Sequence, residues 1–168
     1  MSEPLENVIV RLLAGQGWTV TTAESCTGGL LIGRLINCPG ASSVVNEAYV
    51  TYSNEAKSRL AGVSPLTLEE HGAVSAETAA EMAAGAARAA GAEAAMSTTG
   101  IAGPGGAVPA HDGVPAKPVG LVDFGFYLDG EVRTLRRVFD GSRQEVRGQA
   151  VQTALEGMAE FLREKIEK

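Results

Sequence analysis

Aromatic residues, histidine and cysteine are scarce in this sequence. Aromatics make up 5% of the 168 residues, and there are only two histidines and two cysteines. No group of His, Cys, Asp and Glu shows the spacing of metal ligands, so we expect no metal site. The sequence also has no run of about 18 apolar residues, the length that a membrane-spanning helix needs. Its first residues, MSEPLENVIV, lack the basic start of a signal peptide. We therefore expect no membrane partner.

The two cysteines, Cys26 and Cys38, flank a predicted helix. Twelve residues of helix would separate them by about 18 Å, whereas a disulfide needs Cα atoms within about 7 Å of each other. We expect free thiols, and therefore a reducing, cytoplasmic location.

Basic residues are outnumbered by acidic ones. Fourteen Lys and Arg against twenty Asp and Glu give a net charge of −6, with a pI of about 5.0. A nucleic-acid-binding protein normally presents a basic surface, so we expect no nucleic-acid partner. A small anion remains compatible with this charge, because the charge of a local site can oppose the net charge.

Helix and strand signals alternate along the chain, whose length predicts one domain over residues 1–168. Predicted helices begin near residues 5, 28, 54, 65, 76 and 143, and predicted strands cover about 18–23, 44–52, 93–98, 119–128 and 131–139. The dipeptide Asp129-Gly130 joins the last two strands as a hairpin. This order predicts an α/β fold, a layered sheet of βαβ type with helices on both faces and one antiparallel strand added by the hairpin.

Two segments combine a strand end, glycines and hydroxyl side chains: AESCTGG at 23–29 and TTGIAGPGG at 98–106. Ligands of open α/β sheets gather beyond the carboxyl ends of the strands, and glycine lets backbone N–H groups approach an anion. Turn geometry alone explains the glycines equally well. Neither segment matches a nucleotide-binding signature, and we expect no cofactor. The loop at 100–118 is long, which is typical of functional or mobile loops.

The segment GASSVVNEAYVTYSNEAK at 40–57 offers a serine, a tyrosine and a lysine: Ser42 or Ser43, Tyr52 and Lys57. Lysine can replace histidine as the base of a serine nucleophile. A free lysine is only about 0.04% neutral at pH 7, and lowering its pKa by three units costs about 4 kcal/mol. Burial can supply that cost. Chemistry alone favours the other interpretation, a solvated lysine and a core tyrosine.

Three further side chains leave alternatives open. Arg143 and Arg147 are four residues apart at the start of the last helix. They either hold an anion at the helix N-terminus or lie exposed beside Glu145. Cys26 at a helix start is either a nucleophile with a lowered pKa or, as we expect, a packed thiol without a histidine partner.

Taken together and in order, TTAESCTGG, the Gly-x-Ser of GASS, VTYSNEAK, HGAVS, STTGIAGPGG and KPVG resemble the CinA family. The likeness is to its C-terminal domain, which also occurs alone as a nicotinamide-nucleotide amidase, and covers roughly residues 5–165. It implies hydrolysis of nicotinamide mononucleotide (NMN) to nicotinate mononucleotide and ammonia. It also implies a three-layer α/β/α fold with a mixed, mostly parallel five-stranded sheet, and a homodimer.

Carried over by position, the resemblance implies that Ser42 is the nucleophile and Lys57 the base that activates it. Tyr52 would lie between them or orient the lysine. The substrate-binding residues it implies are Ser25, which is also a second hydroxyl candidate, Thr99, Gly100 and Arg143.

This chain departs from the family pattern at three places. It has Gly40-Ala41-Ser42-Ser43 where many members have Gly-Ser-Ser, and Gly141-Ser142-Arg143 where many have Gly-Asp-Arg. We prefer Ser42 to Ser43 because it lies ten residues before Tyr52. The loop between GIAGPGG and KPVG is longer than usual, which affects access to the site. The alternative function is a non-catalytic nucleotide-binding module linked to competence or the DNA-damage response.

Overall fold

One mixed five-stranded sheet forms the centre of the computed structural model, which describes residues 2–167. Its strands are β1 (Val20–Glu24), β2 (Tyr49–Val50), β3 (Ala94–Gly100), β4 (Leu121–Leu128) and β5 (Glu131–Val138). The spatial order is β2-β1-β3-β4-β5. Strand β1 pairs in parallel with β2 and β3, while β4 runs antiparallel between β3 and β5. Four strands therefore point the same way, and the predicted mixed, mostly parallel sheet is confirmed.

Within residues 2–167, six helices cover the two faces of this sheet. They are α1 (Leu5–Gln16), α2 (Leu30–Ile36), α3 (Asn54–Ala61), α4 (Pro65–His71), α5 (Ala76–Ala90) and α6 (Arg143–Ile166), and short 3-10 turns lie at Ala41–Ser43 and Pro104–Gly106. The larger core packs α1, α2 and α6 against one face. A smaller core, which includes Met82 and Ala86 of α5 and Ala61 of α3, lies on the other. These layers confirm the predicted α/β/α architecture. None of the helices between residues 2 and 167 has the length and apolar character needed to cross a membrane.

Glycines allow close backbone contact between α5 and the sheet, and between α5 and α3. A Cβ on Gly125 of β4 would overlap the backbone of Ala79 in α5, and a Cβ on Gly85 of α5 would overlap the carbonyl of Ala61 in α3. Backbone-to-backbone contact of this kind is a reason for glycine inside an element.

The strand predicted at 44–52 is the main error in the predicted elements, because only Tyr49–Val50 forms β2. Val45 makes an isolated parallel bridge to Val20, and the carbonyl of Glu47 accepts a hydrogen bond from the Thr21 hydroxyl. The segment therefore runs alongside β1, but the ladder of backbone hydrogen bonds between them is interrupted. A hydrogen bond from the Thr21 side chain replaces part of that ladder.

The parallel strands bring three segments to one edge of the sheet. Strands β1, β2 and β3 end at Glu24, Val50 and Gly100, and their carboxyl ends lie side by side. The segments that follow, 25–29, 51–57 and 101–106, therefore meet there. This is the edge at which α/β sheets usually bind ligands.

Candidate active site

A cavity of about 280 Å³ lies where these segments meet. It is lined by Ser25, Cys26, Tyr52, Asn54, Lys57, Ala73, Val74, Thr99, Gly100, Ile101, Ala102, Gly103, Gly106 and Arg143. Both glycine-rich segments and the lysine-bearing helix thus contribute to one site. Among residues 2–167, no cluster of three or more His, Cys, Asp or Glu side chains could hold a metal ion.

Lys57 is the most unusual side chain of this cavity, because it is a lysine with only 1% of its surface exposed. Its Nζ donates to the hydroxyl of Ser25 at 3.1 Å and to the carbonyls of Thr51 and Tyr52 at 2.9 and 3.3 Å. All three acceptors are uncharged. Burial away from water lowers the pKa of Lys57 below the usual 10.5 of lysine, since desolvation penalises the charged amine. The site can therefore hold a neutral amine beside a hydroxyl.

Ser25 takes its position from the end of β1. Its backbone N–H donates to the carbonyl of Thr98 at 2.9 Å, which continues the β1–β3 ladder by one residue. The chain then turns sharply, so that the Ser25 side chain meets Lys57 from a different element. A buried serine hydroxyl against a buried amine is an arrangement that can activate an oxygen nucleophile.

Glu24 holds the turn that follows Ser25, a role that was not predicted from the sequence. Its buried carboxylate accepts hydrogen bonds from five donors: the hydroxyls of Thr22 and Thr27, and the backbone N–H groups of Gly29, Leu31 and Ile32. Three of these donors are backbone groups at the start of α2, which no earlier carbonyl of the helix can satisfy. An acidic residue just before a glycine-rich helix start is a signal that could have identified this role.

Arg147 also fixes the turn. Its guanidinium donates to the carbonyls of Cys26 and Thr27 at 2.9 and 3.2 Å, and thus links α6 to the segment that carries Ser25. Arg143, one helical turn earlier, lines the cavity, and its guanidinium lies against the backbone of Gly103. The two arginines therefore differ in role: Arg147 binds the protein's own carbonyls, and Arg143 faces the site.

The second glycine-rich segment forms another wall of the cavity. The Thr99 hydroxyl donates to the carbonyl of Ala73 at 2.7 Å, which joins this wall to the start of α5. A Cβ on Gly100 would lie 2.7 Å from a Val122 methyl group and 2.8 Å from the carbonyl of Leu121. Thr99 and Gly100 both line the cavity as expected, but the Thr99 hydroxyl bonds to the protein itself.

Cys26 lines the same cavity but is not prepared for nucleophilic attack. Its thiol is buried, and this burial raises its pKa to about 11. The reactive species would be the thiolate, which is scarce at neutral pH under these conditions. The two cysteines are both free and buried.

A family model described as the CinA C-terminal domain matches residues 2–162. The chain belongs to the CinA family. It is 50% identical over 164 residues to a competence-damage inducible protein of Alkaliphilus metalliredigens, and 52% identical over 152 residues to one of Clostridium acetobutylicum. Those alignments cover 98% and 90% of this chain. The chain spans only 38% and 36% of the length of these two relatives.

Solved structures of the CinA family share this fold. The competence/damage inducible protein CihA of Agrobacterium tumefaciens has 42% identity and a TM-score of 0.84, over 96% of this chain and 99% of that one. A CinA superfamily protein from Klebsiella pneumoniae has 37% identity and a TM-score of 0.84, over 94% of this chain and 95% of that one. Family and fold both agree with the resemblance found in the sequence.

The expected pairing of Ser42 with Lys57 is wrong. Ser42 is exposed on the 3-10 turn Ala41–Ser43 and lines a separate cavity with Ile36, Cys38, Gly40, Ala41 and Val45. Val45 lies level with Val20 at the start of β1, so Ser42 lies at the opposite edge of the sheet from Lys57. Ser43 is no substitute, because its hydroxyl donates to the carbonyl of Gly40. The hydroxyl beside the lysine is that of Ser25.

Tyr52 lies at the site but does not stand between a serine and the lysine. Its side chain is 68% exposed, and it is the backbone carbonyl that contacts the Lys57 amine. The alternative of a core tyrosine is therefore also wrong. Tyr52 helps to orient the lysine through its backbone carbonyl, and the residue forms an exposed part of the cavity lining.

Proposed function

We propose that this chain hydrolyses the carboxamide of NMN to nicotinate mononucleotide and ammonia, with Ser25 as nucleophile and Lys57 as base. The observation that carries the proposal is the 3.1 Å contact between the Lys57 amine and the Ser25 hydroxyl inside the cavity. The family resemblance supplies the substrate. The proposal keeps the serine–lysine chemistry expected from the sequence and moves the nucleophile from Ser42 to Ser25.

The proposed reaction needs Lys57 in its neutral form. A neutral amine accepts the hydroxyl proton as the Ser25 oxygen attacks the carboxamide carbon. Backbone N–H groups of the glycine-rich segments are the candidate donors to the oxyanion. The lysine then returns the proton to the departing nitrogen, which leaves as ammonia. Water hydrolyses the ester on Ser25 and releases the carboxylate product.

Arg143 is the proposed partner of the substrate phosphate. Its guanidinium faces the cavity beside Gly103, and arginine binds phosphate oxygens in a bidentate manner. The acidic net charge of the chain does not oppose this, because the field at a cleft depends on the groups that line it. The cavity, at about 280 Å³, lies just below the usual size range of small-molecule sites, about 300–1,000 Å³.

The test is to incubate the purified protein with NMN and to measure both ammonia and nicotinate mononucleotide. Lys57→Met keeps most of the side-chain volume but removes the base, and should abolish both products. Lys165→Met is the matched control, because Lys165 lies near the end of α6 and pairs with Glu131 on the surface. It should leave the rate unchanged. Absence of products with the wild-type protein, or full activity of a folded Lys57→Met variant, would overturn the proposal.

The second candidate is a nucleotide-binding module without catalysis, linked to competence or the DNA-damage response. The names of the relatives from Alkaliphilus metalliredigens and Clostridium acetobutylicum, competence-damage inducible protein, favour it. Calorimetry distinguishes the two candidates. Saturable binding of NMN without any release of ammonia would favour this module.

A further inference from the structure

A second cavity, of about 360 Å³, adjoins the first. The two cavities share four lining residues: Ala73, Val74, Ile101 and Gly106. None of Ser25, Tyr52, Asn54 or Lys57 lines the second cavity. A molecule bound in the first cavity can therefore extend into the second cavity only with the part that lies away from the serine–lysine pair.

The outer wall of the second cavity is built by the loop between Gly106 and Pro118. Val108 and Lys117 bridge the two ends of this loop with backbone hydrogen bonds of 2.9 and 2.7 Å, and His111 and Val114 close its tip. The Lys117 amine donates to the carbonyl of His71 at 2.7 Å, which ties the loop to the end of α4. The cavity wall is thus held by specific contacts at its base and at its tip.

The lining of the second cavity combines apolar walls with a few polar groups. Val108 and Val114 come from the loop, and Val74 and Ile101 from the wall shared with the first cavity. The polar lining residues are Glu69, Glu70, His71, His111 and Lys117. Apolar walls with placed polar groups are typical of small-molecule sites, and the flat apolar faces of an aromatic ring suit such walls. The amine suits a phosphate oxygen, and the carboxylates suit the exocyclic amino group of a base.

We propose that the second cavity is a subsite for a base-bearing group joined to the substrate phosphate, so that the enzyme also accepts a nicotinamide dinucleotide. The inference depends on the proposed function, in which the carboxamide lies at Ser25 and the phosphate at Arg143. A substituent on that phosphate points away from the reacting carbon, as the position of the second cavity requires. The reaction is unchanged: water replaces ammonia at the carboxamide carbon, and the pyrophosphate stays intact.

The test compares the release of ammonia from NMN and from NAD. The wild-type protein should act on both. Val114→Asp places a carboxylate in the second cavity and should lower kcat/KM for NAD by about tenfold or more, but that for NMN by less than about twofold. Val114→Trp, which fills the cavity without adding charge, should have the same selective effect. Val132→Asp is the control, since Val132 on β5 is 41% exposed, close to the 42% of Val114, and should change neither rate.

The outcomes separate the two proposals. Ammonia from NMN but none from NAD would overturn the subsite and leave the proposed function standing. An equal loss for both substrates in the Val114 variants would also overturn it. No ammonia from NMN would overturn the proposed function and the subsite together.

Discussion

Glu24→Gln tests whether the buried carboxylate organises the turn that carries Ser25. One carboxylate oxygen accepts from three donors, and the other accepts from the Thr22 hydroxyl and the Ile32 N–H. A glutamine keeps three of these hydrogen bonds if its side-chain carbonyl oxygen replaces the carboxylate oxygen that accepts from Thr27, Gly29 and Leu31. Its NH2 group then faces the other two donors. The Thr22 hydroxyl can rotate and accept, whereas the Ile32 N–H cannot.

One buried N–H without an acceptor costs about 1–3 kcal/mol. A domain of this size loses about 2–4 °C of Tm for each kcal/mol, so a central cost of about 2 kcal/mol predicts a drop of about 4–8 °C. Differential scanning calorimetry measures it. Glu3→Gln is the control, because Glu3 pairs with Arg11 on the exposed surface, and it should leave Tm nearly unchanged. If both variants have the same Tm as the wild type, Glu24 does not organise the turn.

Three further predictions concern packing, protonation and the thiol. Gly85→Ala should destabilise the protein, because the new Cβ would overlap the carbonyl of Ala61. A Cβ at Gly33 meets nothing within 4 Å, so Gly33→Ala should stabilise the protein by up to about 1 kcal/mol. Equal Tm values for the two variants would contradict the close packing. Burial lowers the pKa of Lys57, and the proposed reaction needs its neutral form. The value of kcat/KM for NMN should therefore rise with pH, with an apparent pKa below 10.5, and become constant above that pKa. A profile that falls from pH 6 to 9 would contradict this. Cys26→Ser should keep kcat within about threefold of the wild type because the reactive thiolate is disfavoured, and loss of activity in a folded variant would reopen a role for the thiol.

The architecture could be predicted because its signals are local. The hairpin at Asp129-Gly130 occurs where the sequence places it. Helices α3, α5 and α6 begin at the predicted residues 54, 76 and 143, each directly after a capping serine: Ser53, Ser75 and Ser142. The true extent of the strand predicted at 44–52 could not be predicted, because β-branched composition does not reveal where the ladder of backbone hydrogen bonds is interrupted. That interruption depends on the pairing with β1, which is a contact between distant parts of the chain.

The candidate site was predicted in part. Lys57, Thr99, Gly100 and Arg143 do line one cavity, because each lies at the end of a strand or in the first turn of a helix at the same edge of the sheet. The expected pairing of Ser42 with Lys57 failed because closeness in sequence does not imply closeness in space. Ser42 and Lys57 lie at opposite ends of a segment that runs the length of β1. Parallel register brings Lys57 instead to Ser25, which is 32 residues away in the sequence.

The most direct test of the account compares Ser25→Ala with Ser42→Ala in the hydrolysis of NMN, with circular dichroism to verify the fold of each variant. Both changes remove one hydroxyl, but only that of Ser25 accepts a hydrogen bond from the buried amine. We expect Ser25→Ala to release no ammonia above the uncatalysed rate and Ser42→Ala to match the wild type. Full activity of a folded Ser25→Ala variant, or its loss in Ser42→Ala alone, would contradict the account.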